Sequence, residues 1–279
     1  MCLIAFAIGA SARWPLVVAS NRDEFLNRPT QPLQRWRTDA GQDIVSGRDL
    51  RAGGTWLGLT PGGRVAFLTN VREANALAAP HSRGELVMRW LAQGGDADAF
   101  ATALALDSPA YGGFNLVLGD FQSNAWTWLS NRPATGSALH VQVLEPGVYG
   151  LSNAALNTPW PKTTALQHAL RASLEASPDP ETLQARLWAA LASRERAPRA
   201  ALPATGVPLA VEEALSSAFV DFPENAYGTR SSTLLLASAP RDAGAERRWD
   251  VQLEERTHRP EPRGTGAGFE CSRAVLSWQ

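Results

Sequence analysis

Four strand-like runs precede the first helical pattern in this chain, and that order limits its fold more than any other feature. Residues 3–8 form a continuous apolar run and residues 16–20 another. Gly9, Ala10, Ser11 and the Trp14-Pro15 break separate them, which predicts a hairpin. After a polar, proline-containing segment come Gly53-Gly54-Thr55-Trp56-Leu57-Gly58, the turn Pro61-Gly62-Gly63 and the run 65–70, a second antiparallel pair. Helical patterns follow. Ser82 stands three residues before Glu85, the spacing of a capping box, and Leu86, Val87, Trp90 and Leu91 share one helical face before Gly94 stops it. A short helix is expected over 97–106, strands over 114–118, 125–129, 141–144 and 148–151, then longer helices over 161–176 and 180–193. Asp179 caps the second long helix, with Pro180 at its first position and Leu183, Leu187 and Leu191 spaced by four. A short helix over 211–218 and a hairpin of 229–237 with 249–256 complete the pattern.

Alternating blocks of antiparallel strands and paired helices predict an α+β fold: a four-layer α/β/β/α sandwich of two mainly antiparallel sheets. No repeat or boundary divides the 279 residues, so one domain over 1–279 is expected. A solvated connection is read at 194–208, and the tail from 257, Pro/Gly-rich at its start, carries no clear pattern.

Charge and composition remove several functions. Lys and Arg number 26 against 27 Asp and Glu, scattered to a net charge of -1, so no basic face is present to neutralise nucleic-acid phosphates. Neither Gly53-Gly54 nor Gly62-Gly63 is followed by the lysine of a phosphate loop. The first apolar run is too short for a signal or membrane helix and no positive charge precedes it. No later run approaches the about 20 residues that span a bilayer, so a soluble, cytoplasmic protein without a transmembrane segment is expected. Cys2 and Cys271 stand at opposite ends, which is no disulfide framework and fits a reducing compartment.

Cys2 itself has two readings. As a small hydrophobe on a buried edge strand it needs no further role. Alternatively, removal of Met1 exposes a thiol and a free α-amine on one residue. With reference pKa values of about 8.5 and about 7.7 to 8.0, the amine accepts the thiol proton and Cys2 becomes an N-terminal nucleophile. Four polar islands end or follow strands: Asn21-Arg22-Asp23-Glu24, Thr69-Asn70-Val71-Arg72, Leu151-Ser152-Asn153 and Gly228-Thr229-Arg230-Ser231-Ser232. Each alone suits a turn or a solvated ion pair. Together with Cys2 they meet the needs of amide hydrolysis: Asp23 to hold the amine, Asn70 and Asn153 as oxyanion donors, and Arg22 or Arg230 against negative charge.

These islands, with the initial Met-Cys, Gly53-Gly54-Thr55-Trp56-Leu57-Gly58, Ser82-Arg83-Gly84, Gly113-Phe114-Asn115-Leu116 and Tyr227-Gly228-Thr229-Arg230-Ser231-Ser232-Thr233, resemble the NRDE family, also called the Transport and Golgi organisation protein 2 family. The likeness runs from Met1 to about Leu236. It implies a fold similar to N-terminal nucleophile hydrolases, in the branch of bile salt hydrolases, penicillin V acylases and acid ceramidase. Carried onto this chain, it gives Cys2 the nucleophile role, Asn70 and Asn153 the two asparagine positions, and Arg230 the late arginine. In those hydrolases the second-strand arginine and aspartate are two residues apart, whereas Arg22 and Asp23 are adjacent. Glu24 is therefore an alternative to Asp23 as the orienting carboxylate.

Two functions follow from the resemblance. One is a cysteine hydrolase acting on a linear non-peptide amide, or a thioester, of an acylated small molecule, with no cofactor required. The other is a non-enzymatic carrier of haem or of an acyl lipid or acyl-CoA. For haem, Cys2 is a candidate ligand, while His81, His140, His168 and His258 share no motif.

Overall fold

The computed structural model describes residues 2–74, 78–132, 139–176, 179–238, 249–259 and 268–278. Met1 and most of the proline/glycine-rich start of the tail lie outside them. Strands β1 (Cys2–Ile8) and β2 (Leu16–Phe25) form the expected hairpin, in a register that sets Cys2 opposite Arg22 and Ile8 opposite Leu16. Nearly every residue of β1 and the first half of β2 is buried on both faces, which is why they read as unbroken apolar runs rather than alternations.

Six strands, not four, precede the first helix: β3 (Thr30–Arg37), β4 (Asp43–Asp49), β5 (Leu57–Leu59) and β6 (Arg64–Asn70) follow the hairpin. The polar segment conceals β3 because it is a sheet edge burying only Leu33, and Pro32 falls where the β3–β4 register shifts, a position that tolerates a missing amide.

Helices α1 (Gly84–Ala92) and α2 (Ala97–Asp107) come next, then strands β7 (Phe114–Asp120), β8 (Ala125–Ser130), β9 (His140–Val143) and β10 (Gly147–Leu151). The expected capping box is absent. The Ser82 side chain caps nothing, and Glu85 instead accepts a hydrogen bond from the Tyr111 hydroxyl at 3.0 Å. Helices α3 (Pro161–Ala176) and α4 (Pro180–Leu191) lie as expected, and Asp179 caps α4 by accepting from the Thr182 amide at 2.7 Å. The short helix α5 spans Leu209–Ala214 rather than 211–218. The chain then forms β11 (Asp221–Phe222), β12 (Tyr227–Ser238), β13 (Trp249–His258) and, in the unassigned tail, β14 (Phe269–Trp278). Residues 194–208 include a short 3₁₀ turn and none of them is buried.

Among the described residues the strands make two antiparallel sheets, one ordered β10-β1-β2-β12-β13-β14 with β11 against β12, the other β3-β4-β5-β6-β7-β8-β9. Ile4, Phe6, Leu16 and Val18 of the first sheet meet Val45, Val65, Phe67 and Val117 of the second in the central core. Leu3, Ala5, Val17 and Ala19 face Leu166 and Leu170 of α3 and Leu183 and Leu187 of α4, while α1 and α2 cover the outer face of the second sheet. The result is a four-layer α/β/β/α sandwich. Strict alternation also sorts the residues that end the hairpin: Cys2 and Arg22 turn toward the second sheet, Asn21 and Asp23 toward the helices.

Candidate functional site

At the end of the hairpin where β1 begins, the two sheets splay and leave a cleft of about 350 Å³ bordered by Cys2, Arg22, Asp23, Glu24, Asn70 and Arg83. Cys2 forms part of its floor and is only 5% exposed. Burial pushes its thiol pKa up.

One wall is an ion cluster. Arg22 approaches Asp49 at 3.3 Å and Glu24 at 3.9 Å, Arg28 holds Asp49 at 2.6 Å, and the Arg22 guanidinium lies 4.2 Å from the Trp56 ring centre. Burial favours the neutral Asp49 acid, but the Arg28 hydrogen bond, the Ala52 amide and the two guanidinium charges outweigh it, and its pKa lies below the ordinary carboxylate value.

The opposite wall comes from the start of α1. Gly54 and Gly84 let the chain before β5 cross α1 backbone to backbone; a Cβ on Gly54 would stand 2.5 Å from the Gly84 carbonyl carbon. This crossing brings Arg83 to the cleft, where one nitrogen donates to the Gly113 carbonyl at 3.3 Å and no described carboxylate pairs with it.

Asn70 ends β6 with its side chain unengaged by the described residues. Its carbonyl accepts from Asn153 Nδ2 at 2.9 Å, and Ser152 Oγ donates to the Cys2 carbonyl at 3.2 Å. The Arg72 amide donates to the Asn153 carbonyl at 2.8 Å, so the ends of β1, β6 and β10 are laced across the two sheets. Asn153 is buried beneath Asn70 and does not border the cleft. Asp23 stands on the helix side, its Oδ1 accepting from Thr229 Oγ1 at 2.8 Å. Burial raises its pKa, opposed most strongly by the charge of Lys162.

Arg230 lies apart. A bulge between Thr229 and Ser231 sets its side chain beside Ser231, where it donates to the carbonyls of Phe25 at 2.9 Å and Arg28 at 3.0 Å. It borders a separate cavity of about 20 Å³ that touches Arg22 and Trp56. Thus Cys2, Arg22, Asp23, Glu24 and Asn70 share one cleft, Asn153 supports it from below, and Arg230 supports the β2–β3 turn.

Sequence reasoning gave no role to Arg83, Arg72 or Lys162. Arg72 pairs with Glu212, both almost fully buried, and lies 4.8 Å from the Trp160 ring centre. Lys162 sits in the first turn of α3, a position that opposes the helix dipole, and burial lowers its pKa to about 8. That misplaced cation is the signal the sequence offered. Among the described residues no group of His, Cys, Asp and Glu is arranged to hold a metal, and no helix is long and apolar enough to cross a membrane.

The motifs that converge here are shared with known proteins. The chain is 32% identical over 251 residues to the Transport and Golgi organization protein 2 homolog of Bos taurus, covering 86% of this chain and 89% of that one. It is 31% identical over 249 residues to the Homo sapiens homolog, again covering 86% and 89%. Among solved structures, the N-acylethanolamine-hydrolyzing acid amidase ortholog of Caenorhabditis elegans aligns with a TM-score of 0.45 and 13% identity, over 67% of this chain and 85% of that one. A conjugated bile acid hydrolase from Clostridium perfringens aligns with a TM-score of 0.49 and 9% identity, over 100% and 97%. The family model described as Transport and Golgi organisation 2 matches residues 1–250, which takes in Cys2, the cleft and every strand up to β12, and the chain belongs to that family.

Proposed function

We propose that this chain is a cysteine N-terminal nucleophile hydrolase that cleaves the amide, or the thioester, of an acylated small molecule. One observation carries the reading: Cys2, at the first position of β1, borders a cleft together with the Asn70 amide and the Arg83 guanidinium, which among the described residues have no side-chain partner and no carboxylate partner respectively.

Burial disfavours the Cys2 thiolate, so an adjacent base is needed. Loss of Met1 would supply it as the α-amine of the same residue. The amine takes the thiol proton, and the sulfur attacks the acyl carbon to form a carbon–sulfur bond. Asn70 Nδ2 is suited to donate to the resulting oxyanion, with the Arg83 guanidinium adding positive charge. Collapse breaks the carbon–nitrogen bond, and the terminal ammonium returns its proton to the leaving amine. Water, deprotonated by the same amine, then attacks the thioester and releases the carboxylic acid with the thiol restored.

A haem carrier would use the same cleft, with Cys2 at the floor and His81 at the mouth. Its Arg22–Glu24–Arg28–Asp49 wall fits a haem poorly, since cofactor slots are predominantly apolar. An acyl-lipid carrier and a hydrolase are separated by turnover.

The test begins with intact mass to establish that Met1 is removed. The mature protein is then assayed against a panel of N-acyl compounds and acyl thioesters, with Cys2→Ser alongside. Turnover of one acyl class, lost in Cys2→Ser, is expected together with a stoichiometric acyl adduct on Cys2. Retained Met1, or stoichiometric binding without turnover, would overturn the hydrolase reading.

A further inference from the structure

Three arginines, Arg22, Arg28 and Arg83, border the cleft, and its carboxylates answer only two of them. Glu24 and Asp49 are each approached by both Arg22 and Arg28, and their other oxygens accept from the amides of Phe25, Arg51 and Ala52. Asp23 turns toward the helices and accepts from Thr229. Glu73 lies close by, since a Cβ on Gly113 would stand 3.0 Å from its Oε2, but Arg132 holds both its oxygens, at 2.6 and 3.2 Å. Arg83 is left without a carboxylate among the described residues. Its guanidinium is seated on backbone of the cleft itself: a Cβ on Gly112 would stand 3.4 Å from Nη1, which donates to the Gly113 carbonyl at 3.3 Å, and both glycines border the space that Cys2 borders. Burial lowers its pKa, as for a cation that has given up water without gaining a counter-ion.

We propose that Arg83 selects a substrate that carries one carboxylate: the acylated small molecule cleaved at Cys2 is a monoanion, and the Arg83 guanidinium holds its negative end. The inference rests on the hydrolase reading and names the substrate class within it. A planar fork of N–H donors meets a carboxylate in two parallel hydrogen bonds, whereas a neutral carboxamide presents a single acceptor oxygen. One unanswered guanidinium matches one negative charge. A coenzyme A thioester brings several phosphate charges, and Arg22 and Arg28, already drawn to Glu24 and Asp49, are not arranged to meet them. The carboxylate can belong to the amine half of the substrate or to the acyl half, and the experiment separates the two. Because the same guanidinium also lends positive charge to the oxyanion, its loss slows every substrate, so the informative quantity is the preference between substrates.

The experiment measures kcat/KM of the mature protein for N-acylglycines, for the matching neutral N-acylglycinamides, for N-ethyl amides of acyl chains that end in a carboxylate, and for acyl-coenzyme A thioesters, each with short, medium and long chains. Wild type is expected to prefer one of the two carboxylate-bearing sets over its neutral counterpart by about 10- to 100-fold, the worth of a hydrogen bond to a charged group. Which set is preferred tells which half of the substrate reaches Arg83. Arg83→Gln is expected to slow all substrates and to abolish the preference, with the larger rise in KM on the carboxylate. Arg83→Lys keeps the charge without the fork and is expected to retain part of the preference. Equal wild-type rates on the carboxylate and its neutral counterpart would overturn the proposal while leaving Cys2 a nucleophile, and this comparison stands whether or not a variant folds. A preference that survives in Arg83→Gln, or one for the coenzyme A thioesters, would overturn it too. No turnover of any compound once Met1 is removed would strike the hydrolase reading itself, and the inference with it.

Discussion

The two faces of the first sheet handle buried charge in opposite ways. On the cleft face, Arg22 and Arg28 close on Glu24 and Asp49, and the cluster is backed by Trp56 and open to water on one side. On the helix face, Arg72, Glu212, Lys162 and Asp23 are almost wholly enclosed, and Arg72 Nε, Arg72 Nη2 and Lys162 Nζ have no partner among the described residues. A saturated cluster builds a wall, because each charge is answered locally. An enclosed cluster with spare donors has charge that water cannot answer, so removing one member leaves its partner buried and uncompensated.

Substitutions can break this contrast. The largest effect is expected from Glu212→Ala, which leaves Arg72 buried without its counter-ion and should cost about 3–5 kcal/mol in urea denaturation. Asn70→Ala, where the two sheets part, should lower turnover of a responding substrate by about 10²–10³-fold with little change in stability. Gly84→Ala drives a Cβ to 3.0 Å from the Thr55 carbonyl oxygen and should cost about 1–3 kcal/mol while displacing Arg83.

A pH series sharpens the helix-face side. Burial, reinforced by the charges of Arg194 and Arg256, holds the His258 pKa at about 4, below its ordinary 6.5, so the folded protein favours the neutral ring. Its contribution to stability is complete above pH 6.5 and is lost as pH falls toward about 4. The urea midpoint of wild type should therefore fall more between pH 7 and pH 5 than that of His258→Gln. The smallest effect is expected from Arg28→Ala on the partly exposed cleft face, about 1 kcal/mol or less, since Arg22 still answers Asp49. A cost as large as that of Glu212→Ala would erase the distinction between the faces.

The same contrast explains what the sequence made legible. Strands β1, β2, β6 and β7, buried on both faces, announce themselves as apolar runs, and α3 and α4 by leucine spacing and the Asp179 cap. Strand β3 does not, because an edge with one buried residue has no period to read. At the site, Cys2, Arg22, Asp23, Glu24 and Asn70 were readable because strand ends gather at a common rim. Arg230 was displaced from that rim by a bulge that no residue pattern marks. Asn153 shares a setting with Asn70 in sequence, yet only the pairing of β10 beside β1 reveals that it lies beneath. Arg72, Lys162 and Glu212 are far apart along the chain and come together only through packing of α3 and α5, which short-range patterns do not encode.

The glycine crossing between the β5 approach and α1 has a consequence for how this chain can change. Because main chain rests on main chain there, the distance between the walls is a fixed gauge, insensitive to which side chains line them. Ala52, Ala78 and Ala79 on the rim are the adjustable part. Retuning the cleft to bulkier or slimmer ligands would start from those three alanines and leave the gauge untouched.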